Sequence, residues 1–229
     1  MINKKQLSLI LVIFSILTVI AGVLLWQDQR YNLIIILVLI ASMLAFYFQY
    51  EYSSVKTREV VIVSIMIALA VVGRMLFILL PSVKPVSALI IILAVVFGSQ
   101  DGFLAGSLSA LLSDFVFGMG PWTPFQMIAW GLIGYLAGMF SKQLYQNQWL
   151  LYLYGLISGI LFSLIMDLWS VLTIEQTFNL TRYLVTFLSS LPVTIIYMIS
   201  NVVFLILLKT TMFRILQRVK VKYGIEEKD

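Results

Sequence analysis

Eight stretches of the chain are apolar enough to lie in a bilayer, and nothing else in the sequence restricts the fold as strongly. They fall at about 7–26, 32–49, 59–80, 86–98, 102–118, 123–141, 150–172 and 186–209. A hydrocarbon core about 30 Å thick takes a helix of about 20 residues. In lipid every backbone N–H and C=O must find a partner inside the protein, so only helices and closed barrels can cross. The short alternating segments of a barrel are missing from this sequence. The expected fold is therefore an all-α polytopic membrane protein. Composition agrees, with 62% hydrophobic and only 11% charged residues, against about 25% charged in an average soluble domain. The first run follows Lys4 and Lys5 but is longer than the apolar core of a signal peptide. It ends in GVLLWQDQR without a small-residue cleavage site, so it is expected to stay as a span.

The basic residues sort by loop. If the N-terminus is inside, the cytoplasmic pieces hold Lys4, Lys5, Lys56, Arg58 and Lys142, and the tail adds Lys209, Arg214, Arg218, Lys220, Lys222 and Lys228. The outer loops hold only Arg30, Lys84 and Arg182. Lys/Arg bias sets orientation, so both termini are expected to be cytoplasmic. The net charge of +5 thus reads as membrane topology and contact with the lipid bilayer, not as affinity for nucleic acid. The polar stretch QYEYSSVKTR at 49–58 divides the chain into an N-terminal helix pair, residues 1–55, and a six-helix unit with a basic tail, residues 56–229.

Ionisable groups inside a span are costly and mark function by default. Arg74 lies about 22 Å along the third run, at 1.5 Å per residue. Asp114 and Asp167 fall in the outer parts of the fifth and seventh runs, and Thr123, Gln126, Trp130 and Trp169 at a similar level. The loop residues Pro81, Lys84 and Pro85 join them there. So does GMGPWTPFQMIAWGLIGYLAG at 118–138, where Gly120, Pro121 and Trp122 crowd chain breakers against a membrane-grade helix. That is the chemistry of a rigid, shaped pocket rim. The inner two thirds of the unit are almost wholly apolar, whereas a channel carries polar groups right through the membrane. The pattern suits a small-molecule site open to the outside, with a closed apolar floor. The alternative is that Arg74 pairs with Asp114 or Asp167 as structural glue. Small residues at four-residue spacing, Gly98, Gly102, Gly106 and Ala110, then Gly134 and Gly138, then Gly155, Gly159 and Ser163, predict close helix packing.

The chain has neither cysteine nor histidine, which removes thiolate and imidazole chemistry and most transition-metal sites. Walker A, HExxH, GxSxG and EF-hand patterns do not occur. The chain is expected not to be an enzyme and to need no cofactor of its own. Two other function classes stay open: a stand-alone small-molecule transporter, and a membrane enzyme using Asp114 and Asp167.

The unit from about residue 56 to 229 resembles the substrate-binding S components of energy-coupling factor (ECF) transporters, the vitamin importers of bacteria and archaea. The six spans and Ser64 and Ala68, a variant of the Ala-x-x-x-Ala contact patch, carry the resemblance. So do RMLFILLPSVKPVSALIIILAVVFGSQDGFLAG and GPWTPFQM, which resemble the subgroup for cobalamin or its precursors. The resemblance implies capture of a vitamin at the outer face of the cell membrane. It implies docking through Ser64 and Ala68 on a transmembrane coupling protein, with ATP hydrolysed by two partner ATPase subunits. The helix pair 1–55 is additional to that core. A corrinoid would need a wide site made by loops 81–86, 118–124 and 173–185.

Overall fold

The computed structural model describes Met43, Tyr47, residues 57–175 and residues 178–225. The expected N-terminal helix pair, the count of eight segments and the placement of both termini lie outside the described residues.

Seven helices and no strand are found among the described residues: α1 Thr57–Leu76, α2 Val86–Phe97, α3 Ser99–Phe117, α4 Thr123–Met139, α5 Ser141–Gln146, α6 Gln148–Glu175 and α7 Leu180–Lys222. α1, α6 and α7 are each long and apolar enough to cross a membrane. Together with the other apolar helices they make the chain a multi-pass helical membrane protein. The loops after α1, α3 and α6 share one end of the bundle. The basic residues Arg58 and Lys142 and the end of α7 share the other.

α2 is the centre. The short apolar run that could have been tilted or broken is an intact helix of 12 residues, and all of them are buried. Its neighbours are α1, α3, α4 and α7. Lipid is as apolar as VSALIIILAVVF itself, so burial here gains dispersion contacts and close packing, not release of water. At about 18 Å α2 is shorter than the bilayer core. The chain can use it only because α1, α3, α4 and α7 wrap it. Lys220 Nζ donates to Val96 O at 2.8 Å, supplying a cation to the carbonyl end of α2, where the helix dipole favours one.

Glycine sets the tightest interface, between α3 and α4. A Cβ on Gly134 would stand 2.0 Å from Gly102 O, and one on Gly106 would stand 2.2 Å from Trp130 O. The two backbones touch because Gly102, Gly106 and Gly134 carry no side chains to hold them apart. The small-residue spacing in the sequence is thus packing.

Three boundaries differ from the sequence expectation. The run at 186–209 is part of a 43-residue α7, about 65 Å at 1.5 Å per residue. Most of the expected loop 173–185 is therefore helix, the end of α6 and the start of α7. The basic tail continues α7 without a break up to Lys222, with Leu216 buried. Between α4 and α6 the chain makes the six-residue α5, pinned by Leu144.

Candidate functional site

Two adjoining polar constructions occupy the loop half of the bundle, one closed and one open. The closed one is centred on Arg74 and Asp114. Arg74 Nη1 donates to Asp114 Oδ1 at 2.8 Å, and both side chains are almost fully buried. Arg74 Nη1 also donates to Ser113 Oγ. Asp114 Oδ2 accepts from Thr123 Oγ1 at 2.8 Å, and Thr123 Oγ1 accepts from Gly120 N at 3.3 Å. Both carboxylate oxygens are satisfied, and the pair ties α1, α3 and the turn before α4 together. Its guanidinium faces the rings of Phe117, 4.5 Å from the centroid, and Trp130, 5.1 Å away. Removing one partner of such a buried pair leaves the other charged and unpaired, a loss of about 3–5 kcal/mol.

Trp130 joins this cluster to the open one. Its indole is buried, and Nε1 donates to Tyr197 Oη at 2.8 Å. Tyr197 Oη lies 2.7 Å from Ser87 Oγ on α2. Phe162 packs between the two rings, 5.0 Å from Trp130 and 4.9 Å from Tyr197. In front of these rings lies a cleft of about 520 Å³, measured to its open mouth. Ser82 and Lys84 contribute from the α1–α2 loop, Trp130 from α4, Phe162, Ser163, Met166 and Asp167 from α6, and Ser190, Val193, Thr194 and Tyr197 from α7.

Beside the rings, the lining from α6 and α7 carries polar groups. Ser163 and Asp167 are one turn apart on α6, and Ser190, Thr194 and Tyr197 follow at helical spacing on α7. Ser190 Oγ donates to Asp167 Oδ2 at 2.7 Å, and Thr194 Oγ1 donates to Ser163 Oγ at 2.8 Å. The result is a ladder of hydroxyls ending in a carboxylate. Lys84 stands at the mouth. Its backbone N–H donates to Ser200 Oγ at 3.0 Å, which folds the α1–α2 loop against α7. Burial pushes the Lys84 ammonium below the ordinary lysine value, the charge of Arg74 adds to that effect, and Asp114 opposes it.

The residues expected from the sequence fall into three sets. Lys84, Trp130 and Asp167 line the cleft together. Arg74 and Asp114 pair with each other behind Trp130. Asp167 bonds to Ser190 instead of to Arg74, so the two aspartates have separate partners and do not share a proton as a catalytic dyad would. The remaining residues shape the loop end. Pro85 is buried against Gly73, where a Cβ would meet its ring at 2.5 Å, and Pro81 is exposed. Gly120 lets the Trp122 ring fold back on the turn, since a Cβ there would stand 2.3 Å from it. Pro121 in the same turn is exposed. Trp122 stacks on Trp169, with centroids 6.3 Å apart and planes at 19°. Gln126, one turn below Trp122, keeps a buried Oε1 without a hydrogen-bond partner.

The sequence reading missed most of the α6 and α7 lining. A usable signal existed, because polar residues spaced three or four apart in apolar helices (Ser163 with Asp167, Ser190 with Thr194 and Tyr197) mark an inward face. Ser64 and Ala68 sit elsewhere, on the exposed face of α1, where Ser64 Oγ turns back to Val60 O at 2.8 Å.

Comparison with known proteins fits this architecture. The family model described as "ECF-type riboflavin transporter, S component" matches residues 54–214. No curated protein and no solved structure matches the chain. The match corrects the subgroup suggested by GPWTPFQM, since the family is the riboflavin one and not a cobalamin one. The matched segment takes in all of α1 to α6 and most of α7, and on that ground the chain belongs to the ECF-type riboflavin transporter S component family.

Proposed function

We propose that the protein is the substrate-binding subunit of an ECF importer and that the cleft between α4, α6 and α7 takes riboflavin or a close flavin. One observation carries the reading: the cleft is lined both by aromatic rings, Trp130, Phe162 and Tyr197, and by a hydroxyl and carboxylate ladder, Ser163, Asp167, Ser190 and Thr194. Riboflavin has the matching halves, a flat heteroaromatic ring and a polyhydroxy chain. A corrinoid with its nucleotide arm is much bulkier, and most of the wide loop 173–185 that would admit it is helix instead.

Lys84 and Asp167 would orient the ligand, and Trp130 would bring the ring face. Arg74 and Asp114 would hold Trp130 in position from behind. The loop end would face outside, because Arg58, Lys142 and the basic part of α7 gather at the other end. Energy would come from partner ATPases through a membrane coupling protein, with the exposed Ser64 and Ala68 face of α1 as the contact.

The test is titration of the purified protein with riboflavin, read as quenching of flavin fluorescence by stacking. Quenching at stoichiometric ligand is expected. Asp167→Asn and Ser190→Ala are each expected to weaken binding about tenfold, the effect of losing one charge-assisted hydrogen bond. A protein that elutes normally yet quenches no flavin would sink the reading.

A further inference from the structure

A second cleft lies at the basic end, far from the one above. It measures about 320 Å³ to its open mouth. Leu144 and Tyr145 of α5, Leu151 of α6 and Phe213 of α7 form its apolar sides, and Gln148, Lys209 and Thr210 supply the polar atoms.

Lys209 is the charge in this cleft. Its ammonium is held in place, donating to Gln148 Oε1 at 2.8 Å and standing 4.8 Å from the Tyr152 ring. The ion pairs formed among the described residues do not include it, so its positive charge has no counter-charge there.

The level is that of a bilayer interface. Between Arg182 and Lys209, α7 carries no charged residue, a length of about 40 Å at 1.5 Å per residue. Lys209 is where the apolar stretch ends. Trp149 beside it is 73% exposed and meets the Tyr152 ring edge-on at 6.1 Å, as aromatic residues do at headgroup depth. Arg214, one turn beyond, is exposed.

We propose that this cleft seats an anionic phospholipid, with its phosphate on Lys209 and Thr210 and the start of an acyl chain against Tyr145 and Phe213. A fixed cation, a hydroxyl and an apolar wall at one interface match the two chemistries that such a lipid joins in one molecule. The site would peg α5, α6 and α7 to the leaflet at a defined depth. The inference stands apart from the flavin reading, and failure of either leaves the other intact.

The experiment is native mass spectrometry of the full chain in detergent after incubation with dioleoyl phosphatidylglycerol or dioleoyl phosphatidylcholine. The expected result is about fivefold greater retention of the anionic lipid. Lys209→Gln should remove that preference, Lys209→Arg should keep it, and Arg182→Gln at the other end should leave it unchanged. Equal retention of the two lipids by the unaltered chain, or an undiminished preference in Lys209→Gln, would overturn the proposal. So would displacement of the lipid by excess glycerol phosphate, which would mark a site for a soluble phosphate compound. Should Lys209→Gln fail to elute as a folded species, the lipid preference of the unaltered chain and of Lys209→Arg decides the matter.

Discussion

Single charges in this molecule are used in opposite ways. Arg74 and Asp114 are buried together, with Ser113 on the guanidinium and Thr123 on the carboxylate, so their charges hold α1, α3 and the α4 entry in register, although Arg74 Nε has no hydrogen-bond partner among the described residues. Lys84 is half-buried, lines the cleft and forms no ion pair among the described residues. Its ammonium is easier to deprotonate than an ordinary lysine, first because of burial and then because of Arg74. A base whose folded-state value is lowered disfavours its own charged form in the fold. Its contribution to stability therefore rises, and does not fall, as pH climbs through the lowered value toward the ordinary one. Ligand binding should run the other way if Lys84 donates to an acceptor on the flavin. Affinity is expected to fall as pH rises through the lowered value, before an ordinary lysine would titrate. Lys84→Arg, which keeps its charge across that range, should bind with a flatter profile. Fluorescence titrations of both proteins from neutral to alkaline pH check this, and parallel profiles would remove Lys84 from the recognition step.

At the scale of elements, the α3–α4 contact is the most sensitive joint in the bundle. The Gly102, Gly106 and Gly134 backbones meet without side chains between them, which in lipid is the main way two helices gain contact energy. Gly134→Ala puts a Cβ 2.0 Å from a backbone oxygen that no rotamer change can move. The expected loss is about 1–3 kcal/mol, visible as a lower midpoint of thermal unfolding in detergent. An unchanged midpoint would mean that α3 and α4 stand further apart than described. This joint was legible in the sequence, because four-residue spacing of small residues has one physical meaning in a membrane helix. The helix boundaries at GMGPWTP were legible as well, since its breakers end α3 and start α4, but none of its residues lines the cleft. The length of α7 was not legible. Arg214, Arg218 and Lys222 signalled a departure from the bilayer, and nothing in their type separates a helix that leaves the membrane from a loop. The α6 and α7 cleft lining was half legible. Ser163 and Thr194 are polar enough to mark a face yet small enough to pass for packing residues, and only their mutual hydrogen bond across the two helices decides between the two.

For the whole molecule, the positions of the cleft and of α1 bear on how substrate is moved. The cleft is built by α4, α6 and α7 with the α1–α2 loop. The outer face of α1 carries Val61, Ser64, Ile65, Ala68 and Val72 away from it, all exposed. Ser64 has turned its hydroxyl back to Val60 O, so that face offers small, flat, apolar contact to another membrane helix. On the proposed reading, binding and docking would use separate surfaces of one bundle, and a substitution on α1 should divide them. Ala68→Phe is expected to leave flavin quenching unchanged, because Ala68 lies outside the cleft lining. It should lower flavin uptake in cells that also make the ATPases and coupling protein by about tenfold or more, the consequence of about 1.4 kcal/mol lost from docking. Uptake and co-purification with the coupling protein should fall together. Full uptake with Ala68→Phe would move the docking surface to another helix. Full uptake by this chain in liposomes without any ATPase would mean that it transports alone, and the Ala68 face would then be lipid-facing surface.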